Sequence, residues 1–395
     1  MVEPPDVPRC PLGQFQLPEK YVGHPGGQYH ISEAYASDSA AIMFLSYHSA
    51  VDMKKVAAKA RVLGIDMPEC GSGFDDVCSA IRQVQAEHPR QRLVFSVWCF
   101  AVSVALVVVT GLWIRRPTFG LAVAVGLAFE IYFFNVFHVR HHLGGRLFKH
   151  DLLDDMFDPL YTFLDYVYGY RPPAWHINHH TRHHIHTNTD KDPDVPGSYP
   201  GMRASEDQPL QWFHKYQTFY VPLALPFVIP MLPFYNVLAS GGSIAALMAW
   251  LGTWWAMFYL HGWYGIGQYC FMYGVASVSI TYKFLVSHVH PALGFAHSDP
   301  PGAQTMDVWM RQQIEESMTW GGYVGSFLFG GINTQIEHHI SPALVPTFHP
   351  FLRPHLQRIC EKHGINYTYE PTMMHAVWQF HKHLWALGQR SSPRP

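Results

Sequence analysis

The sequence is short of charge. Asp, Glu, Lys and Arg make up 14% of its 395 residues, where a soluble domain carries about 25%, so much of its surface must face something other than water. The two signs nearly cancel, 27 Lys and Arg against 29 Asp and Glu, and no long basic run breaks the balance. An electrostatic footprint for nucleic acid is therefore missing. The six cysteines (Cys10, Cys70, Cys78, Cys99, Cys270, Cys360) form no C-x-x-C pair, which argues against a disulfide framework or a zinc knuckle and leaves them as packing residues. Residues 1–6 are acidic and proline-rich, unlike a signal peptide or an Arg-rich transit peptide. Internal apolar segments are expected to direct insertion instead, and no internal repeat or low-complexity tract is visible.

What the chain has is apolar length and histidine. Hydrophobic residues are 48%, aromatics 15%, and the 27 histidines equal Lys and Arg together. Residues 93–114 form an uncharged run of 22 between Arg92 and Arg115, long enough to span a bilayer. Residues 118–137, interrupted only by Glu130, read as the return span of a hairpin. Arg82, Arg90, Arg92, Arg140, Arg146 and Lys149 lie outside its open end, against Arg115 and Arg116 at its tip. The positive-inside rule then puts the open end, and the histidines of residues 138–190, in the cytosol. No charged residue lies between Lys215 and Lys283, where three apolar stretches can be drawn, 220–238, 244–260 and 269–286. If all the histidines build one site the crossings must be even in number, so two crossings and one interfacial or re-entrant segment are expected. Residues 147–170 and 305–320 mix charged with aromatic or apolar side chains and read as helices lying at the interface. The expected fold is an all-α integral membrane protein with about four transmembrane helices and a cytosolic helical cap.

The histidines fall into three groups: His138-Val139-Arg140-His141-His142, the nine residues from His176 to His184, and Gln335-Ile336-Glu337-His338-His339. Each has H/Q-x-x-H-H spacing, which on an α-helix presents two or three side chains on one face. Composition alone gives roughly 0.1 occurrences of H-x-x-H-H in a chain like this one, so chance is a poor account. Imidazole suits iron, copper, zinc and nickel, and inward-facing groups on separate helices are how bundles build dinuclear sites. A histidine-rich metal transporter is the alternative from another functional class, but it needs no such fixed spacing.

These three boxes, their order and the spans between them resemble the membrane fatty acid desaturase superfamily, and Gln335 in place of the third box's first histidine resembles its front-end branch. Gly330-Gly331-Ile332-Asn333-Thr334-Gln335-Ile336-Glu337-His338-His339 followed by Pro342 carries most of the likeness. Trp309, Gln313 and Ser317 precede it as in that branch, while Val139 stands where an acidic residue is usual. The second box has two frames, His176/His179/His180 and His180/His183/His184. Trp175, Asn188 and Asp192-Pro193-Asp194 sit where the family places such residues around the later frame, which is therefore preferred. The resemblance implies two iron ions held by His138, His141, His142, His180, His183, His184, His338 and His339, with His288 as a ninth. Gln335 is a further ligand or holder of a metal-bound water, and Glu337 could orient an imidazole. It also implies dioxygen, a fatty acyl lipid or acyl-CoA substrate, membrane lipids as surroundings, a cis double bond as product, and an endoplasmic reticulum location with cytosolic boxes. Sphingolipid desaturases and hydroxylases of the same di-iron class remain as the near alternatives.

His24-Pro25-Gly26-Gly27, followed 24 residues after its histidine by His48, resembles the haem-ligating core of cytochrome b5. His24 and His48 are the expected axial ligands of a haem b that passes electrons singly. The 23 residues before His24 leave no counterpart for the module's first strand and helix, so an abbreviated segment is expected over 1–62, a linker over 63–92 and the desaturase domain over 93–395. A separate cytochrome b5 and NADH-cytochrome b5 reductase are the implied electron donors.

Overall fold

A computed structural model describes residues 9–10, 12–17, 31, 40–148, 150–168, 175, 177–239, 244–295 and 305–389. Helices dominate it. The four long enough and apolar enough to cross a membrane are α2 (Gln91–Arg115), α3 (Phe119–Tyr132, extended to His142), α5 (Gln217–Ala239, whose apolar window starts at His214) and α6 (Ile244–His288). A helix α1 (Ala40–His48) comes before them, α4 (Asp151–Val167) follows α3, and two later helices, α7 (Gln335–Ile340) and α8 (Met373–Gln389), belong to the cap. The described strands form two short parallel pairs, Arg9–Cys10 with Met67–Pro68 and Thr319–Trp320 with Tyr369–Glu370.

Two of the three expected apolar stretches turn out to be the limbs of α6. The chain reverses at Gly262, whose φ of 61° and ψ of −149° suit a residue without a Cβ. Antiparallel packing of the limbs follows from their contacts: Trp254 lies 4.7 Å from Tyr269, and Trp250 Nε1 donates to Tyr273 OH at 2.9 Å. The reversal sits at the tip of the α2–α3 hairpin, where Tyr264 OH donates to the Pro117 carbonyl at 3.1 Å. At the other end, Thr218 of α5 and Tyr282 of α6 both bond His381 of α8, at 3.2 and 3.1 Å. The chain therefore enters at α5 and returns at His288 on the same face, as a single site requires.

α5 contains Pro222, Pro226, Pro230 and Pro233, each of which removes a backbone donor. Ser277 of α6 bridges the rung between Leu225 and Ile229. Its hydroxyl accepts from Ile229 N at 3.0 Å and donates to the Leu225 carbonyl, inserting itself into that rung of the α5 ladder. A second polar link joins α3 to α6: Lys283 Nζ is 2.9 Å from Glu130 Oε1, and Ser279 Oγ donates to Glu130 Oε2 at 2.9 Å. Both charged side chains are buried, as the cost of a lone charge in hydrocarbon demands.

α4 falls within 147–170, as the expected helix does, and is two-sided. Leu152, Met156, Leu160 and Phe163 are exposed along one side, while Asp154, Tyr161, Leu164 and Asp165 are buried along the other. The stretch 305–320 differs from expectation. Its helix Met306–Glu315 turns Trp309, Met310 and Ile314 into the core against Phe74 of the helix Ser72–Glu87, so its apolar stripe is packing rather than a lipid face. That second helix occupies the region read as a linker, with Phe74, Val77, Ile81 and Val84 fully buried. α8 instead exposes Met374, Trp378 and Trp385.

Candidate metal centre

All three histidine boxes meet at the end of the spans. α3 runs into a π-helical stretch, Phe133–His138, and a final turn, Val139–His142. The second box is also π-helical over Ile177–His183 and then tightens at His184–His186. The wider i→i+5 turn changes which side chains share a face, and here it aligns His179, His183 and His184. The third box lies on α7 behind Gly330 and Gly331, both at positive φ. A Cβ on Gly330 would stand 2.4 Å from the Phe134 carbonyl. That close approach seats the third box directly on the first.

Two donor groups result. His138, His142, His179, His184 and His338 form the first, with one nitrogen from each within 4.8 Å of all the others; His183, His288 and His339 form the second under the same limit. His179 Nε2 lies 2.9 Å from His138 Nε2 and 3.2 Å from His184 Nε2. The Gln335 amide reaches into the second group, 2.9 Å from His288 Nε2 and 3.0 Å from His339 Nε2. The groups adjoin, since the rings of His184 and His339 are 4.4 Å apart.

These residues fit a metal pair on three counts. Two imidazoles bound at right angles to one ion at about 2.1 Å would hold their nitrogens roughly 3 Å apart, the spacing seen. His142 Nε2, His183 Nε2, His184 Nδ1, His338 Nε2 and Gln335 Oε1 are buried without a hydrogen-bond partner, and each such atom costs about 1–3 kcal/mol unless something binds it. Burial first, and then the neighbouring histidines, hold His179, His184, His338 and His339 well below the ordinary imidazole pKa, in the neutral state that metal binding requires.

Outer partners fix the rings. Asp192 Oδ2 is 3.0 Å from His183 Nδ1, and the Glu316 carbonyl is 3.3 Å from His288 Nδ1. Burial pulls His183 down, but the Asp192 and Asp194 carboxylates outweigh it and raise its pKa. Asp194 also lies near His179 Nδ1, at 3.9 Å. Gln313 Oε1 is 2.8 Å from His339 Nδ1. Turning that amide would let Oε1 accept from Trp309 Nε1 at 3.3 Å. The first orientation is preferred, because a proton on Nδ1 leaves the Nε2 lone pair facing the group.

A sequence profile of the fatty acid desaturases matches residues 116–371, which hold all the grouped donors. The chain belongs to the fatty acid desaturase family. Its relatives include the chloroplastic acyl-lipid (7-3)-desaturase of Chlamydomonas reinhardtii, 26% identical over 243 residues, covering 54% of this chain and 46% of that protein. The acyl-lipid (7-3)-desaturase of Diacronema lutheri is 26% identical over 395 residues, covering 93% and 87%. The sn-1 linoleoyl-lipid 6-desaturase of Arthrospira platensis is 24% identical over 322 residues, covering 72% and 80%. The chain thus spans about half the length of the first of these desaturases and most of the other two.

Several expected site residues stand outside these two groups. His180 is in neither group; its ring lies 4.3 Å from that of His142. His141 turns away towards Asp165, 3.5 Å from Oδ2, which also accepts from Arg140, while Oδ1 accepts from Tyr132. Glu337 accepts from Thr319 Oγ1 at 2.7 Å and Tyr367 OH at 2.6 Å rather than orienting an imidazole. His48 ends α1 with Nδ1 2.6 Å from the Phe44 carbonyl, while His24 and His176 lie outside the described residues. An apolar groove of about 1030 Å³ is lined by Phe119, Phe227, Phe271 and Val278 among others, and none of the donors lines it. His179, a member of the earlier frame of the second box, is the donor set aside when the later frame was preferred. Its nearness to His184, five positions on, follows from the π turn.

Proposed function

We propose that the protein is a front-end fatty acyl desaturase with a di-iron centre, working from the endoplasmic reticulum membrane with its histidines facing the cytosol. The carrying observation is the meeting of eight imidazoles and the Gln335 amide in two adjoining buried groups at one end of four apolar helices. His138, His142, His179, His184 and His338 would hold one iron; His183, His288 and His339, with Gln335 beside them, would hold the other. An iron pair with dioxygen supplies the oxidising power for removing hydrogen from an unactivated methylene pair, which no side chain can do. The chain's part is to hold His179, His184, His338 and His339 neutral, fix ring rotation through Asp192, Gln313 and the Glu316 carbonyl, and keep bulk water from the buried pair.

The relatives named as (7-3)- and 6-desaturases support a fatty acyl lipid as substrate, and Gln335 supports the front-end assignment. Electrons would come from cytochrome b5 and its NADH-dependent reductase, or through a haem between His24 and His48. Expression in yeast fed defined polyunsaturated acids, with gas chromatography of the lipids, tests the reading. A new double bond on the carboxyl side of an existing one, absent from H184A, is expected. A hydroxylated product, or none from a protein that holds two irons, would refute it.

A further inference from the structure

The helix α1 lies outside the residues matched by the family, yet it and the residue that follows it meet the histidine boxes at two points, one half-buried and one buried. Tyr47 OH is 3.1 Å from His142 Nδ1. Ser49 Oγ is 2.8 Å from Ser341 Oγ, two residues beyond His339. On the same helix Ile42, Met43 and Leu45 share one core with Phe137 and Val139 at the first box and Ile336 and Ile340 at the third. The segment that in sequence resembled a separate electron-carrying module is built into the wall of the histidine site.

The two nitrogens of His142 are divided by this contact. His142 belongs to the first donor group; its Nε2 is buried without a hydrogen-bond partner, while Nδ1 faces the Tyr47 hydroxyl. An imidazole must keep one nitrogen bare to bind a metal, and the hydrogen bond at the other selects which one. A phenol oxygen can accept from Nδ1–H, which sends the proton away from the group and fixes the ring's rotation. His183 receives the same service from the Asp192 carboxylate, but the phenol is neutral and the weaker acceptor.

We propose that Tyr47 is a positioning residue for His142, so that the first metal position is completed by the amino-terminal helix as well as by the three boxes. The inference rests on the reading of the histidine groups as iron ligands.

The test uses the full-length chain loaded with ⁵⁷Fe and compared with Y47F, which removes the hydroxyl and keeps the ring. Outer partners of metal-bound imidazoles are worth about 10–100-fold in metal affinity. Y47F should therefore release one of its two irons to a chelator roughly 10-fold or more faster than the unaltered protein, and should change one of two Mössbauer doublets. L45A loosens the same helix without touching His142; it should lower the melting temperature and leave both doublets in place. Identical spectra and release rates for Y47F and the unaltered protein would overturn the inference. The same spectral change in L45A would overturn it too, by showing that packing alone is responsible. An unaltered protein that bound no iron would sink this inference and the proposed function together, whereas two irons with an unresponsive Y47F would sink this inference alone.

Discussion

Removing the imidazole of His179 should cost the protein iron and product together, because its Nε2 stands between those of His138 and His184. H180A should keep most of its iron, since His180 contributes to neither donor group. Iron per chain by mass spectrometry, measured beside product formation, separates the two; equal iron loss in both variants would overturn this assignment. That the boxes exist was legible in the sequence, because histidine triples at short spacing are rare by composition. Most of the grouped histidines were legible too, but His179 was not. The choice of frame set it aside, and the second box is π-helical where it meets the site. The positions of Gln335 and His288 beside His339 agree with the likeness read from their motifs, whereas the turning of His141 towards Asp165 depends on α4, which no local pattern connects to it.

Among elements, the link between α3 and α6 is the most consequential for the site, since α3 leads to His138 and His142 while α6 ends at His288. Lys283 Nζ also lies 4.7 Å from the centre of the Phe329 ring, on the loop leading to the third box. K283M would leave Glu130 buried without its cation, and breaking such a pair by removing one partner costs about 3–5 kcal/mol. The expected result is a lower melting temperature in detergent, with much of the loss recovered in the double variant E130Q/K283M. A double variant no more stable than K283M would show that the pair is not the cause. The spans were legible from apolar length, and Glu130 was conspicuous as the lone charge in one of them. The reversal inside α6 was not, because a glycine in an apolar run carries no local signal until Trp254 and Tyr269 are seen to touch. The polar link from α5 to α6 was equally mute, since Ser277 lies 52 positions after Leu225.

For the whole molecule, the geometry gives the membrane two distinguishable sides. Trp263, beside the reversal at the hairpin tip, and Trp212 and Trp378, near the α5 and α8 end, are all strongly exposed. In a C270S background, cysteine at Trp263 should react with an impermeant maleimide only from the face opposite to that labelling cysteine at Trp212 or Trp378; labelling of all three from one face would contradict the fold. Low charge and long apolar runs made the membrane class legible, but the burial of the helix Met306–Glu315 depends on contacts with residues more than two hundred positions earlier, such as Phe74. The Glu130–Lys283 pair also has a consequence in time. Synthesis delivers Glu130 to the bilayer 153 residues (283 − 130) before its partner, and at about 5–20 residues per second that is a wait of roughly 10–30 s. Through that interval the first hairpin holds a carboxyl with no cation, a half-assembled state that membrane surveillance can distinguish from the finished one. A chain cut at residue 282 should accordingly be degraded faster in a pulse-chase than the same chain carrying E130Q, and equal lifetimes would show that the orphaned carboxyl goes unnoticed. The last long span, on this view, is also the signal that the first hairpin may be released into the lipid.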